Sequence, residues 1–166
     1  MKALLAVTAF VLALGSSALP AAARDFVQDG AGMLSAATVS QLNSTIADFN
    51  AQTGKEVVVV TVPSLNGETL TQAAENTFAQ QRVNGVLIYL AQTEKADVVV
   101  PDRASHAFFP PGETKAIHDA MRGYFRSGDF DTGITTGVNL TLGVYRSHMN
   151  ALARPASAPY GATQSV

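Results

Sequence analysis

Acidic side chains in turns are the residues of this chain best suited to chemistry. Asp129 and Asp131 are separated by one residue in a glycine-containing loop. Carboxylate and carbonyl oxygens of such a loop are the ligands that hard cations take. Both residues also have structural explanations, because Asp131 is suited to cap the helix that follows it and Asp129 is a common turn residue. Asp29, which precedes Gly30, is equally suited to a turn.

A second polar group follows the last predicted strand. Asp102 and Arg103, with Ser105 and His106 nearby, are residue types that a phosphatase needs, namely a cation for the phosphoryl charge and an acid or nucleophile. They permit that reaction without indicating it. Asn84, which precedes a glycine, either presents its amide to a ligand or serves a tight turn.

Other kinds of site lack sequence support. His106, His118 and His148 have no paired ligand spacing, which favours surface or structural roles. The G-x-S-x-G, Walker and G-x-G-x-x-G motifs are absent, so we expect no nucleotide site. The chain has no Cys, which excludes disulfides and thiolate zinc sites. Its 11 Lys and Arg are scattered against 13 Asp and Glu, which argues against a nucleic-acid surface.

The two ends of the chain differ in composition from the middle. Residues 1–23 follow the pattern of a secretory signal, with a charged start, an apolar run and a cleavage site at Ala21-Ala22-Ala23. We expect an exported, periplasmic protein that is soluble after cleavage and has no stable membrane span; the alternative is an uncleaved signal that acts as an anchor. Residues 151–166 contain two prolines and small polar residues, and we expect a disordered tail there. Residues 24–150 remain as one domain.

Hydrophobic periodicity in this domain predicts the order β-α-β-α-β-β-α-α. Glu56–Val62 is a continuous, mostly β-branched run, typical of a central parallel strand buried on both faces. Amphipathic stretches predict helices that end at Gly54 and Arg82, and further helices over 113–126 and 131–149. Strands separated by helices predict an α/β fold, a three-layer α/β/α sandwich around a mixed, mostly parallel sheet.

Two further features of the sequence are an apolar loop and a set of glycines in the last predicted helix. The loop Phe108-Phe109-Pro110-Pro111-Gly112 is either a docking lip for a partner or a cover packed on the sheet. Glycines of the last helix, at positions 133, 137 and 143, cost roughly 1 kcal/mol each relative to Ala. Close packing of that helix on a neighbour would compensate for this cost.

Four segments of the domain carry a family resemblance. They are VQDGAGMLS at 27–35, TGKEVVVVTV at 53–62, NGVLIYLA at 84–91 and FRSGDFDTGITTGV at 125–138. In this order they resemble the TPM domain. The resemblance implies a compact α/β/α domain of exported or lumenal proteins, which include a plant thylakoid acid phosphatase, photosystem II repair factors and a nematode receptor accessory protein. It also places Asp29, Asp129 and Asp131 at acidic positions of a family in which some members bind calcium or similar ions.

The chain departs from the family pattern around its third strand. The loop before Asn84 is shortened and lacks the usual Trp, and PDRASH at 101–106 replaces a Gly-x-Gly turn. The first hypothesis is therefore an exported accessory domain that binds an unidentified protein partner, with Ca²⁺ or Mg²⁺ held by Asp29, Asp129 and Asp131. Ligand or partner contacts are expected from Asn84, Asp102, Arg103, Phe108 and Phe109. The alternatives are a metal-assisted acid phosphatase that uses the same three aspartates, and an inert structural domain.

Overall fold

The computed structural model describes residues 24–153, and its elements follow the predicted order. They are β1 Val27–Asp29, α1 Ala36–Thr53, β2 Glu56–Val62, α2 Leu70–Gln81, β3 Gly85–Ala91, β4 Ala96–Pro101, α3 Pro111–Phe125 and α4 Phe130–Ala153. The α/β class is confirmed. The predicted signal and residues 154–166 of the predicted tail lie outside the described residues, whereas α4 continues past the predicted domain end at Asn150. No helix between residues 24 and 153 is long and apolar enough to cross a membrane.

The four strands form one mixed sheet in the order β1-β2-β3-β4. β1 and β2 pair in parallel, as do β2 and β3, and β3 and β4 form an antiparallel hairpin. Val59 of β2 pairs with Val27 on one side and with Ile88 on the other. The central, parallel position that the β-branched run predicted for β2 is therefore confirmed.

Helices cover both faces of this sheet. Side chains alternate along β2, so Val57 and Val59 face α1, α3 and α4, while Val58 and Val60 face α2. This arrangement confirms three layers. Because β1, β2 and β3 run parallel in sequential order while α1 and α2 lie on opposite faces, the two crossover connections have opposite hands. One of them is thus left-handed, an exception to a strong rule.

Local signals explain most of the helix boundaries. The Ser35 side chain accepts a hydrogen bond from the Thr38 N–H and caps α1, which ends at Gly54 in the left-handed conformation. α3 begins at Pro111, earlier than expected, because Pro is favoured in the first turn of a helix.

The start of α4 corrects one prediction. Asp129, not Asp131, caps this helix: Oδ1 of Asp129 accepts from the Thr132 N–H at 3.1 Å, and its carbonyl accepts from the Gly133 N–H. The helix starts earlier than its apolar pattern indicated, since Phe130 is already helical. The Asp131 side chain is thereby free for another contact, described below.

Two of the three glycines of α4 permit close contact with α3. A Cβ on Gly137 would lie 2.2 Å from Sδ of Met121, and one on Gly133 would lie 2.4 Å from the Phe125 ring. Nothing lies within 4 Å of a Cβ on Gly143, which is exposed. Close packing therefore explains Gly133 and Gly137 and leaves Gly143 without a packing reason.

Substitutions at these glycines should have opposite effects. We expect Gly137→Ala to lower the free energy of unfolding by about 1 kcal/mol or more, because overpacking in a core costs ~1–3 kcal/mol and outweighs the helix propensity of Ala. Gly143→Ala, the matched control, should raise it by up to about 1 kcal/mol. Urea denaturation measures both, and equal stabilisation by the two variants would contradict the packing argument.

Candidate functional site

The carboxyl ends of β1 and β2 form a crevice. The chain leaves β1 toward α1 on one face and leaves β2 toward α2 on the other, and ligands of open α/β sheets bind where neighbouring connections diverge in this way. Asp29 is the last residue of β1, and Thr61 lies beside it in β2. The Thr61 hydroxyl donates to Oδ1 of Asp29 at 2.5 Å.

Asp29 also shapes the loop that follows it. Its carboxylate accepts from the backbone N–H of Met33 at 3.0 Å and from that of Leu34 at 2.8 Å. The loop 30–35 is thus folded back onto the end of β1. Since three donors contact this half-buried carboxylate, most of its hydrogen-bonding capacity is already used.

Asp131 contacts the same loop from a distant part of the chain. Its Oδ1 accepts from the Ser35 N–H at 2.8 Å, a hydrogen bond that lowers the pKa of the Asp131 carboxyl. The consecutive N–H groups of Met33, Leu34 and Ser35 therefore all donate to two aspartates. The structure brings Asp29 and Asp131 to one loop, and this contact joins that loop to the start of α4.

Asp129 lies exposed in the turn before α4, next to this junction. Only its Oδ1 accepts a hydrogen bond from a described residue. Within residues 24–149, His, Cys, Asp and Glu side chains form no group of three that could hold a metal ion. Binding of Ca²⁺ or Mg²⁺ by the three aspartates stays a prediction.

A pocket of about 470 Å³ lies beside the loop 30–35. Met33 of that loop and Phe130, which lies between the two aspartates of the α4 turn, both line it. Its apolar wall continues with Leu90 and Phe125, and its charged residues are Lys95, Asp97, Arg122 and Arg126.

The charged residues of this pocket were missed by the sequence interpretation. The sequence did contain a signal for Asp97. Side chains alternate between the two faces of β4, so Asp97 lies on the same face as Val99, which packs in the core beneath α3 and α4, and not on that of Val98. A charge at an inward position of an apolar strand indicates a buried ionisable group. The arginines gave no signal, since a charged residue on a helix usually lies on a solvated face.

Asp97 is the buried charge of the pocket. Its side chain is only 6% exposed, with Nε2 of His118 3.0 Å from Oδ2 and Nε of Arg122 3.9 Å from Oδ1. This contact with His118 does not count as a hydrogen bond, and Oδ2 lacks a hydrogen-bond partner among the described residues. Burial raises the pKa of Asp97, and the nearby His118 and Arg122 only partly oppose this shift.

The other predicted residues lie at the opposite edge of the sheet. Nζ of Lys55 donates to Oδ1 of Asn84 at 3.0 Å and to Oδ2 of Asp102 at 2.8 Å. The Asn84 amide also donates to the Gly54 carbonyl at 2.8 Å. Asn84 therefore does not form a tight turn, and its side chain ties together three connections at the amino ends of β2 and β3. A contact of Asn84 with a ligand or partner stays a prediction.

Asp102 holds the segment after β4. Its Oδ1 accepts from the Ser105 N–H at 2.7 Å, and the Ser105 hydroxyl contacts the Tyr145 hydroxyl at 2.7 Å in the core. Burial alone would raise the pKa of Asp102, but hydrogen bonds from Lys55 and Ser105 outweigh it and lower that pKa. Arg103, the next residue, is exposed and lines a shallower groove with Glu75 and His106.

The two phenylalanines after this segment pack inward. Phe109 is 3% exposed, with its ring centroid 5.0 Å from that of Tyr145. Phe108 is half-buried between Tyr145 and His148. A partner could reach only part of Phe108 without a movement of the loop, because apolar burial turns Phe109 into the core.

Comparison with known proteins identifies the family. A family model of the TPM domain matches residues 27–143, from β1 to just past the middle of α4. The chain belongs to the TPM domain family. A comparison with curated proteins finds no match.

Solved structures share this TPM fold. The N-terminal domain of a protein from P. gingivalis is 26% identical, covering 77% of this chain and 86% of that one, with a TM-score of 0.70. The BA42 protein of the psychrophilic bacterium Bizionia argentinensis is 20% identical, with 69% and 83% covered and a TM-score of 0.61. The N-terminal domain of cg2496 from Corynebacterium glutamicum is 18% identical, with 95% and 98% covered and a TM-score of 0.59.

The hydrogen bonds of Asp29 predict a structural role that can be measured in the TPM domain. Asp29→Asn should lower the free energy of unfolding by about 1–3 kcal/mol, because the amide cannot accept from all three donors. Asp25→Asn is the control, since Asp25 is exposed and no described residue donates to its side chain. Equal melting temperatures of the two variants would show that the loop does not depend on Asp29.

The lowered pKa of Asp102 predicts a pH dependence. A carboxyl with a lower pKa in the folded than in the unfolded state stabilises the fold at neutral pH, and this stabilisation is lost as the pH falls through the folded-state pKa. Asp102→Asn should therefore be less stable than the wild type at pH 7, by about 1 kcal/mol or more. The difference should shrink once the pH is below about 4. Asp48→Asn, at an exposed site on α1, should show neither effect.

Proposed function

We propose that this TPM domain is an exported interaction domain that holds a calcium-like divalent cation at its acidic loops and binds a partner protein there. One observation carries the proposal: Asp29 and Asp131 converge on consecutive N–H groups of one loop, at the crevice where the connections from β1 and β2 diverge. A rigid acidic loop beside an open pocket is a suitable binding surface.

The three carboxylates differ in how many oxygen atoms remain available to bind a cation. Asp29 already accepts from three donors, so it fits the role of an outer residue that holds the loop. Asp129 and Asp131 each have one oxygen engaged by a described backbone N–H, and they are the residues that would contact the ion. Two carboxylates with backbone and water oxygens correspond to a weak site, with a dissociation constant on the order of 10⁻⁴–10⁻³ M.

A metal-assisted phosphatase is the second candidate. The observation in its favour is that Lys95, Arg122 and Arg126 line the pocket next to the acidic loop. Cations beside a bound metal ion could stabilise the charge of a phosphoryl group, while the ion polarises a phosphoryl oxygen and activates water.

Calorimetric titration of the mature protein with CaCl₂ and MgCl₂ tests the cation site. We expect saturable binding in the wild type and at least about a tenfold weaker affinity in Asp129→Asn, because removing one of two carboxylates costs a charged ligand. Asp48→Asn should bind like the wild type, since Asp48 is an exposed acid of α1. No saturable heat in the wild type, or equal binding by Asp129→Asn, would contradict the cation proposal.

The same samples separate the two functions. Hydrolysis of p-nitrophenyl phosphate that EDTA abolishes and Asp129→Asn loses would favour the phosphatase. Cation binding without turnover would favour the interaction domain, whose partner would then be captured with the wild type and not with Asp129→Asn. Recovery of the processed protein in the periplasmic fraction, starting at Arg24, tests export.

A further inference from the structure

The pocket beside the acidic loop contains a buried acceptor without a donor. The Asp97 side chain lines the pocket, is 6% exposed, and has no described hydrogen-bond partner at Oδ2. A buried carboxylate oxygen in this state is costly unless a donor reaches it. A ligand that brings a donor to the Asp97 carboxylate, beside His118, would lower that cost.

The pocket also has exposed side chains of the opposite charge. Lys95, from the turn between β3 and β4, and Arg126, at the end of α3, line it together with Asp97. Neither of them forms an ion pair with a described residue, and both are exposed. An anionic group is the complement of these two cations.

Aromatic side chains line the same pocket. Phe125 and Phe130 pack with ring centroids 5.4 Å apart, and both line the pocket with Met33 and Leu90. Gly133 makes room for these rings, because a Cβ there would lie 2.4 Å from the Phe125 ring. A volume of about 470 Å³ is in the range of small-ligand pockets.

We propose that this pocket binds the group common to an apolar α-amino acid and to the C-terminal residue of a peptide. Its nitrogen donates to Asp97, its carboxylate pairs with Lys95 and Arg126, and its apolar side chain lies against Phe125 and Phe130. In both the free amino acid and the peptide end, a nitrogen that donates a hydrogen bond and a carboxylate are attached to the same carbon. The site does not depend on a cation at the acidic loops.

The backbone at Lys95 agrees with a binding role. Lys95 has a φ of 51°, in the left-handed region where Gly and Asn are favoured. A lysine with this backbone conformation lowers the free energy of unfolding of the unliganded protein. Residues with such backbone strain are common at binding sites. Lys95→Gly should therefore raise the melting temperature and weaken ligand binding at the same time.

Titrations of the mature protein in EDTA test the site by calorimetry and by two-dimensional NMR. The probes are L-phenylalanine and the tripeptide Gly-Gly-Phe, compared with phenylalaninamide, which lacks the carboxylate, and 3-phenylpropionate, which lacks the nitrogen. At least one of the first two should bind about tenfold more tightly than both controls, since each charged hydrogen bond contributes about a factor of ten or more. Binding of phenylalanine alone indicates a free amino acid, and binding of the tripeptide alone indicates a peptide end.

Substitutions of the pocket residues test which side chains contact the probes. Asp97→Asn and Arg126→Gln should each weaken binding about tenfold, and Arg126→Gln keeps the test valid if the Asp97 variant unfolds, because Arg126 is exposed. Arg82→Gln, at the exposed end of α2 away from the pocket lining, should bind like the wild type. No binding of either probe up to about 10 mM, or equal binding by Arg126→Gln, would overturn the proposal. Because EDTA is present throughout, failure of the cation titrations leaves this result unaffected.

Discussion

Burial of β2 and β3 on both faces is the constraint on which the rest of the structure depends. The residues of these two strands are buried with the exception of Val62, so neither face of the sheet can remain open to water. The strands also approach closely at their start, where a Cβ on Gly85 would lie 1.9 Å from the Glu56 carbonyl oxygen. Helices must cover both faces, and they do so unequally, with three on one side and α2 on the other.

The two ends of the strands form different edges of the sheet. At the amino ends of β2 and β3, Lys55 joins Asn84 to Asp102, and the polar groups satisfy one another. At the carboxyl ends, the connections diverge to opposite faces, and the carboxylates of Asp29 and Asp131 accept hydrogen bonds from the loop between them. At the amino ends the polar side chains hydrogen-bond to one another. At the carboxyl ends lies the pocket, in which Oδ2 of Asp97 has no hydrogen-bond partner among the described residues.

Membership of the TPM family settles the fold and leaves the chemistry to the residues of this chain. The structural neighbours at 20% and 18% identity agree in architecture alone. The proposed cation site and the proposed ligand pocket lie side by side and share the loop 30–35, yet they use different groups. The first depends on the exposed Asp129 and the half-buried Asp131, and the second depends on the buried carboxylate of Asp97 and on exposed cations.

Much of the fold could be predicted from local patterns. The unbroken β-branched run identified β2 as central, the polar turn identified the β3–β4 hairpin, and Ser35 and Gly54 marked the ends of α1. Each of these signals is contained in a few neighbouring residues. The boundary of α4 was harder, because either Asp129 or Asp131 could serve as its cap, and only the helical conformation of Phe130 decides between them.

The sequence by itself determined the order of the elements, the strands buried on both faces and the acidic loops, since these follow from composition and period. Tertiary structure alone decided that α1 and α2 lie on opposite faces, because the hand of a crossover depends on how the remaining helices pack. It also decided that Asp131 contacts Ser35 across 96 positions of the chain, and that Asp97 meets His118 and Arg122. Contacts between residues so far apart have no local pattern, and they exist only once the sheet has brought its helices together.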